Sequence, residues 1–492
     1  MKQVGFLIGA LVAALSKHDG NAVPHAMIML QELIHRGHQG HEIITPEATI
    51  AAGSLEELRK HIDTYSIAAI GHNASSSKKG TLDLNDLPAV LEGHIFNESA
   101  TSCFTQIKTV QRQSPEKIAR RLLSHFDGDY IFAIASAGRI VVGRDPLGTK
   151  PLYYGESEES CAVASERKAL WKIGIHNVRS FPPGNIATMR QTGFFFRPVW
   201  TIKLRTPRRI GLSAAVTRLR ALLEESIRER LRDVQNAGIA FSGGLDSSLV
   251  ARLVQESGST VHLVSVNMAG RHGLSHAAEA AKVLSLPITV QEYSIRDVEN
   301  ALPKVLWLIE EPDLGKAGIA IPLLWSAQLA SRLGCDVLLA GQGADEMFGG
   351  YRRYLTIYEE KGVGAVAESL FHDTVMSYEM NFQRDEPLCA FSGIELRLPF
   401  VDTKLVRFAL SLPVDLKIES AYDPLRKRIL RQLAKDLDIP TSIAERPKKA
   451  IQFETGVDKA LRDLAKSRNL APREYVEEIY KTVHLRSGSD LN

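Results

Sequence analysis

The chain has 492 residues, a formal net charge of +3, 44% hydrophobic residues and 24% charged residues. At ~100–200 residues per domain this length predicts two to four domains, large enough to bury cores without staples. So small a net charge argues against a nucleic-acid or anionic-membrane partner, and Cys103, Cys161, Cys335 and Cys389 are too scattered for a zinc site or a disulfide framework, which predicts a cytoplasmic protein.

The stretch Gly5 to Leu15 is apolar but shorter than the ~20 residues a membrane helix needs, so it is expected to form a buried first strand. Val4 to Ile8, Ala68 to His72, Tyr130 to Ser136, Arg139 to Gly143 and Cys161 to Ser165 are rich in β-branched and aromatic residues and bounded by turn formers. Met27 to His35 carries apolar residues at helical spacing. Together they predict a layered antiparallel domain. The polar stretch 203–212, with Pro207 and Gly211, marks a boundary, giving domains 1–205 and 206–492.

Beyond it, Leu219, Leu222, Leu223, Ile227 and Leu231 mark one face of a long helix. Strands then alternate with helices: strand Gly238 to Phe241, helix Ser247 to Glu256, strand Val261 to Asn267, helix Ala277 to Leu284, helix Leu323 to Leu333 and strand Asp336 to Leu339. That alternation predicts an α/β domain with a doubly wound parallel sheet, and the chain beyond Tyr351 reads as mainly helical.

Two loops carry the chemistry. Phe241, Ser242, Gly243, Gly244, Leu245, Asp246, Ser247 and Ser248 lie between a strand and a helix. The glycines let the backbone approach a phosphate, the helix N-terminus offers unpaired N–H groups, and the serines add donors. Asp246 would repel phosphate unless a cation lay between them, which points to Mg²⁺. The GKS/T ending of a Walker loop is missing. The second loop, Leu339 to Tyr351, again follows a strand and places Asp345 and Glu346 beyond Gly341, Gln342 and Gly343. Two loops at adjacent strand ends, each bringing a carboxylate, can hold a metal ion between them.

The first loop resembles the SGGxDS signature of the ATP-pyrophosphatase family, and the second resembles the GxGxDExFxGY stretch of asparagine synthetases. Val264 to Asn267 is similar to the strand lining their adenine pocket, with Val266 at the matching position. Ile309 to Asp313, Gly393 to Asp402, Lys427 to Arg431 and Arg446-Pro447-Lys448 match further family segments in order. The resemblance implies that Phe241, Ser242, Gly243, Gly244, Asp246, Ser247, Val266, Gly341 and Gly343 bind ATP and pyrophosphate. It implies Asp246 and Asp345 as Mg²⁺ ligands, Lys448 (or Lys449) as the cation that stabilises developing charge, and Gln342 and Glu346 as substrate-binding residues.

The first domain resembles class II glutamine amidotransferases in His35-Arg36-Gly37, Gly143 to Tyr153, Ala164 to Leu170 and Phe181 to Gly184. This implies an Ntn-type αββα sandwich for residues 1–205. The active residues of that family do not match. Val4 falls where the family has its nucleophilic cysteine, Ala74 where it has an arginine, Glu92 where it has the oxyanion-hole asparagine and Ser102 where it has an aspartate. A carboxylate at 92 would repel an oxyanion, so this domain is expected to lack glutaminase activity.

The resemblance thus implies a ligase that adenylates the aspartate side chain and forms asparagine with ammonia, taken from solution or from a separate glutaminase; charge and hydropathy give it no nucleic-acid or membrane partner, and the sequence leaves the oligomeric state open, a homodimer being one option. Gln342 stands where the family often has Glu, and a neutral amide cannot take a proton from ammonia. That keeps open a β-lactam-synthetase-like enzyme using an internal amine, and a non-catalytic ATP-binding scaffold.

Overall fold

The computed structural model describes residues 9–74, 81–83, 87–97, 114–232, 234–270 and 273–484. It divides into two compact units, Met1–Thr201 and Ile202–Leu491.

The first unit contains β1 (Gly9–Ser16), β2 (Gly40–Ile44), β3 (Thr49–Ala52), β4 (Ala68–Ala74), β5 (Thr81–Asp83), β6 (Pro88–Ile95), β7 (Gly128–Ser136), β8 (Arg139–Arg144), β9 (Tyr153–Glu156), β10 (Ser160–Ala164), β11 (Arg179–Ser180), β12 (Asn185–Arg190) and β13 (Gly193–Pro198). They form a seven-stranded sheet, β11-β9-β10-β1-β4-β2-β3, and a six-stranded sheet, β13-β12-β8-β7-β6-β5. Strand alternation explains the layering. Leu11, Ala13 and Leu15 of β1 face Val90, Ile131 and Ala133 of the other sheet, while Ala10, Val12 and Ala14 pack on Ala26, Met29 and Leu30 of helix Val23–Glu32. On the far side Leu91 and Phe132 pack on Ile118 and Leu122 of helix Pro115–His125. The result is the expected αββα sandwich. The first strand is described from Gly9, so the segment Val4 to Ile8 lies outside the described residues.

The second unit carries β14 (Asn236–Ala240), β15 (Thr260–Met268), β16 (Ile288–Tyr293), β17 (Val337–Leu339) and β18 (Glu395–Arg397). All pairings are parallel, in the order β16-β15-β14-β17-β18. Winding runs outward from β14 to β16, then returns to β17 on the other side. The reversal between β14 and β17 is a topological switch point, where open α/β sheets bind ligands. Helices Ile295–Ile309 and Leu314–Arg332 bury one face of the sheet, packing on Val264, Val266 and Leu338.

Proline is the common reason why two elements differ from expectation. Helix Leu314–Arg332 starts nine residues before the expected Leu323, with Pro322 inside it and Asp313 capping it by accepting from Lys316 N at 2.7 Å. Helix Ile295–Ile309, with Pro303 inside, was not expected. Sequence patterning reads an internal proline as a break; burial of these helices overrides it. Strand β18, three residues long, is too short to show alternation. Among the described residues no helix is long and apolar enough to cross a membrane.

Candidate active site

Both loops lie at the C-terminal ends of neighbouring strands, β14 and β17. Gly243 adopts φ +70°, which a side chain would resist, and Gly244 N–H donates to Ser242 Oγ at 3.2 Å. Ser247 Oγ donates to Gly244 O at 3.2 Å. Helix Leu245–Glu256 starts at Gly244 with no side-chain cap, so its first N–H groups remain available to an anion.

The loops meet closely. A Cβ on Gly341 would lie 2.9 Å from Asp246 Cβ. One on Gly350 would lie 1.7 Å from Asp345 Oδ1 and 2.5 Å from Lys427 Cε, so only glycine is compatible with this packing.

At the junction two carboxylates and two ammonium groups alternate. Lys427 Nζ lies 2.6 Å from Asp246 Oδ2 and 2.6 Å from Asp345 Oδ1. Lys448 Nζ lies 2.7 Å from Asp345 Oδ2 and 3.9 Å from Asp246 Oδ2. Burial favours the neutral form of Asp345, but Lys427 and Lys448 outweigh it and hold the carboxyl well below the usual range. Lys448 is raised above the ordinary lysine value, because Asp345 and Asp246 outweigh its desolvation. Its side chain is still 35% exposed, so solvent weakens these attractions.

Lys427 is a site residue that sequence reading placed in a motif without giving it a role. It is 2% exposed. Arg426 and Lys427 both adopt left-handed backbone, at φ 54° and 52°, a conformation that costs a non-glycine residue on the order of 1 kcal/mol. Arg431 holds that turn, donating to Arg426 O at 2.7 Å and also to the carbonyls of Leu425 and Ala444.

A cavity of about 230 Å³ opens over this cluster. Ser242, Gly244, Asp246, Ser247, Gly341, Gln342, Asp345 and Lys448 line it, together with Lys427 and Lys449. Phe241 and Val266 instead line an adjoining cavity of about 50 Å³. Glu346 is buried behind the wall, accepting from Tyr351 Oη at 2.5 Å and Asn381 Nδ2 at 2.8 Å; burial and then Asp345 push its carboxyl up. Arg384 and Asp385, which also line this cavity, form a buried bidentate pair at 2.7 and 3.0 Å.

The donor set suits Mg²⁺. Asp246 Oδ1 is buried without a hydrogen-bond partner. Among the described residues no group of three or more His, Cys, Asp and Glu side chains could enclose a metal ion. Magnesium commonly binds through one or two carboxylates plus substrate phosphates, and Asp246 and Asp345 offer that pair.

In the first unit, the position expected of an oxyanion-hole asparagine holds a buried ion network. Glu92, with none of its surface exposed, lies 3.4 Å from Arg36 and 3.8 Å from Lys150, and accepts from Ser165 Oγ at 3.2 Å. Glu166 accepts from Arg36 at 3.0 Å and contacts His35 and Lys168. The nearby Gly143 to Tyr153 segment forms a self-tied turn: buried Arg144 donates to the carbonyls of Gly148, Lys150 and Phe181, each at 2.7 Å. Ala74 closes β4. Val4 and Ser102 lie outside the described residues.

A family model described as asparagine synthase matches residues 218–361 and 358–490, and one described as a glutamine amidotransferase domain matches residues 87–172. A putative glutamine-hydrolyzing asparagine synthetase of Methanocaldococcus jannaschii is 32% identical over 391 residues, which cover 70% of this chain and 72% of that protein. A glutamine-hydrolyzing asparagine synthetase of Sandersonia aurantiaca is 26% identical over 361 residues, covering 70% of this chain and 67% of that protein. With the phosphate loop, the facing carboxylates and these matches in one frame, the chain belongs to the asparagine synthase family of ATP-dependent amide-forming ligases.

Proposed function

We propose that the second unit converts aspartate, ATP and ammonia into asparagine, AMP and pyrophosphate. The observation that carries this reading is the alternation of Asp246, Lys427, Asp345 and Lys448 beside the phosphate loop. The aspartate side-chain carboxylate attacks the α-phosphorus of ATP; the bond to the bridging oxygen breaks and pyrophosphate leaves. Ammonia then attacks the activated carbonyl, a proton is lost, and AMP departs.

The chain's own groups divide this work. Backbone N–H groups after Gly244 and the hydroxyls of Ser242 and Ser247 hold the phosphate oxygens. Lys427 and Lys448 offset negative charge as pyrophosphate leaves. Asp246 and Asp345 would hold Mg²⁺, which neutralises phosphate charge when bound.

The first unit is proposed to lack glutaminase activity, because Glu92 occupies the oxyanion position as a carboxylate paired with Arg36. Ammonia then comes from solution or from a separate glutaminase. Gln342 favours a second reading. It lines the cavity with a neutral amide, so an amine that loses its proton elsewhere, including an internal amine as in β-lactam synthetases, is the rival nucleophile.

ATP–pyrophosphate exchange across a panel of amino acids, followed by product analysis with ammonium or glutamine, tests the reading. Exchange with aspartate, and asparagine formed from ammonium alone, supports it. Exchange only with a longer acid that carries its own amine shifts the assignment to the second reading, and no exchange with any acid rejects both.

A further inference from the structure

Arg384 and Asp385 lie in the first turn of helix Gln383–Phe391, which leads into β18, the strand beyond β17 from the phosphate loop. Both side chains line the larger cavity, yet the residues are only 5% and 3% exposed. Asp385 takes one edge of the guanidinium, accepting from Nε at 2.7 Å and from Nη2 at 3.0 Å, while Nη1 donates to Met380 O at 3.3 Å. A guanidinium carries five N–H groups, so one on each terminal nitrogen stays open, and each carboxylate oxygen of Asp385 can accept again. A buried polar group is normally satisfied, and one left open in the wall of a cavity suits a ligand that completes it. In the same cavity Gln452 Oε1 is buried without a hydrogen-bond partner, an acceptor open to a donor. The π-helical turn Tyr378–Phe382 directly precedes this helix, and such turns recur at functional sites.

We infer that Arg384 and Asp385 bind the α-amino-acid end of the acceptor, Arg384 its α-carboxylate and Asp385 its α-ammonium. The two charges of the pair lie side by side. A ligand with only an anion there would be drawn to Arg384 and repelled by Asp385, and a ligand with only a cation would meet the reverse. A zwitterion answers both members at once, with charge-assisted hydrogen bonds to each. Leu396 and Leu398 of the same wall offer the ligand no competing charge. The consequence is regiochemical. With the α-carboxylate held on the guanidinium, the side-chain carboxylate is the one left free to attack the α-phosphorus of ATP.

The inference rests on the reading of this site as one that adenylates an amino acid, but not on that amino acid being aspartate. ATP–pyrophosphate exchange is measured in the full chain with aspartate and longer amino-bearing acids, then with the N-acetyl and α-carboxamide derivatives of the best of them. The wild type is expected to lose about a hundredfold in kcat/KM with either derivative. Arg384→Gln is expected to raise KM for the free amino acid about a hundredfold and to erase its advantage over the α-carboxamide; Asp385→Asn should erase its advantage over the N-acetyl form. A derivative that exchanges as well as its parent overturns the inference without any variant, and so does a folded Arg384→Gln protein with an unchanged KM. Exchange with a longer amino acid but not with aspartate, with the same losses for its derivatives, supports the inference and removes the aspartate reading. Exchange with no acid rejects both.

Discussion

Lys427 Nζ lies 2.6 Å from Asp246 Oδ2, a contact between residues 181 positions apart in the chain. The same ammonium lies 2.6 Å from Asp345 Oδ1. It lies between two facing carboxylates and offsets part of their repulsion in a buried setting, and leaves Asp246 Oδ1 open.

Replacing Asp246 with alanine removes one proposed magnesium ligand and one partner of Lys427. ATP–pyrophosphate exchange is expected to fall by about a thousandfold, the scale of removing a strong charge-stabilising group. Exchange at the wild-type rate in Asp246→Ala would sink the metal assignment.

Lys427→Met leaves Asp246 and Asp345 without the ammonium that bridges them. Removing one partner from a buried ionic group costs about 3 kcal/mol, and a divalent cation should restore part of that by taking its place. Thermal melts with and without magnesium chloride check this. The variant's melting temperature should rise more with magnesium than the wild type's, and equal shifts would show that the cation does not bind between these carboxylates.

Lys417 is 2% exposed, and burial pushes its ammonium down to about 7. An unfolded lysine titrates near ~10.4. Between these values the unfolded chain binds more protons, so stability rises with pH across that window and is penalised below it. Lys417→Met should stabilise the protein at pH 7 by on the order of 3 kcal/mol and flatten the rise toward pH 9. Urea midpoints at both pH values measure it, and a variant that keeps the wild-type slope would show that Lys417 is not its source.

Glu92→Asn installs the residue type expected of an oxyanion hole but leaves Val4 without a thiol. No glutamate should form from glutamine in either protein. Stability should drop by on the order of 2 kcal/mol, since Arg36 loses one of its buried partners. Glutamate release by the wild type would overturn the proposed loss of glutaminase activity, and an unchanged melting temperature would remove Glu92 from the structural network.

The sequence makes the phosphate loop legible because its chemistry is local. Ser242 to Ser248 carry the glycines, the hydroxyls and the carboxylate within one turn, flanked by β14 and a helix. Asp345 and Lys448 are legible through motifs, and the structure brings them within 2.7 Å. The role of Lys427 is not legible, because its place depends on two successive left-handed residues held by Arg431, and no backbone propensity favours that turn. The Arg384–Asp385 wall is hidden for a different reason: adjacent opposite charges in a helix read as solvated surface, whereas the fold buries both.

Gly350 carries a consequence for how this site can vary. The space its missing side chain leaves is occupied by Asp345 Oδ1 and Lys427 Cε. A single added methyl there would push apart opposite charges while leaving every charged residue in the sequence intact. The electrostatics of the site are therefore encoded partly at a position with no charge and no chemistry of its own, and a survey restricted to ionisable residues would score such a damaged chain as complete.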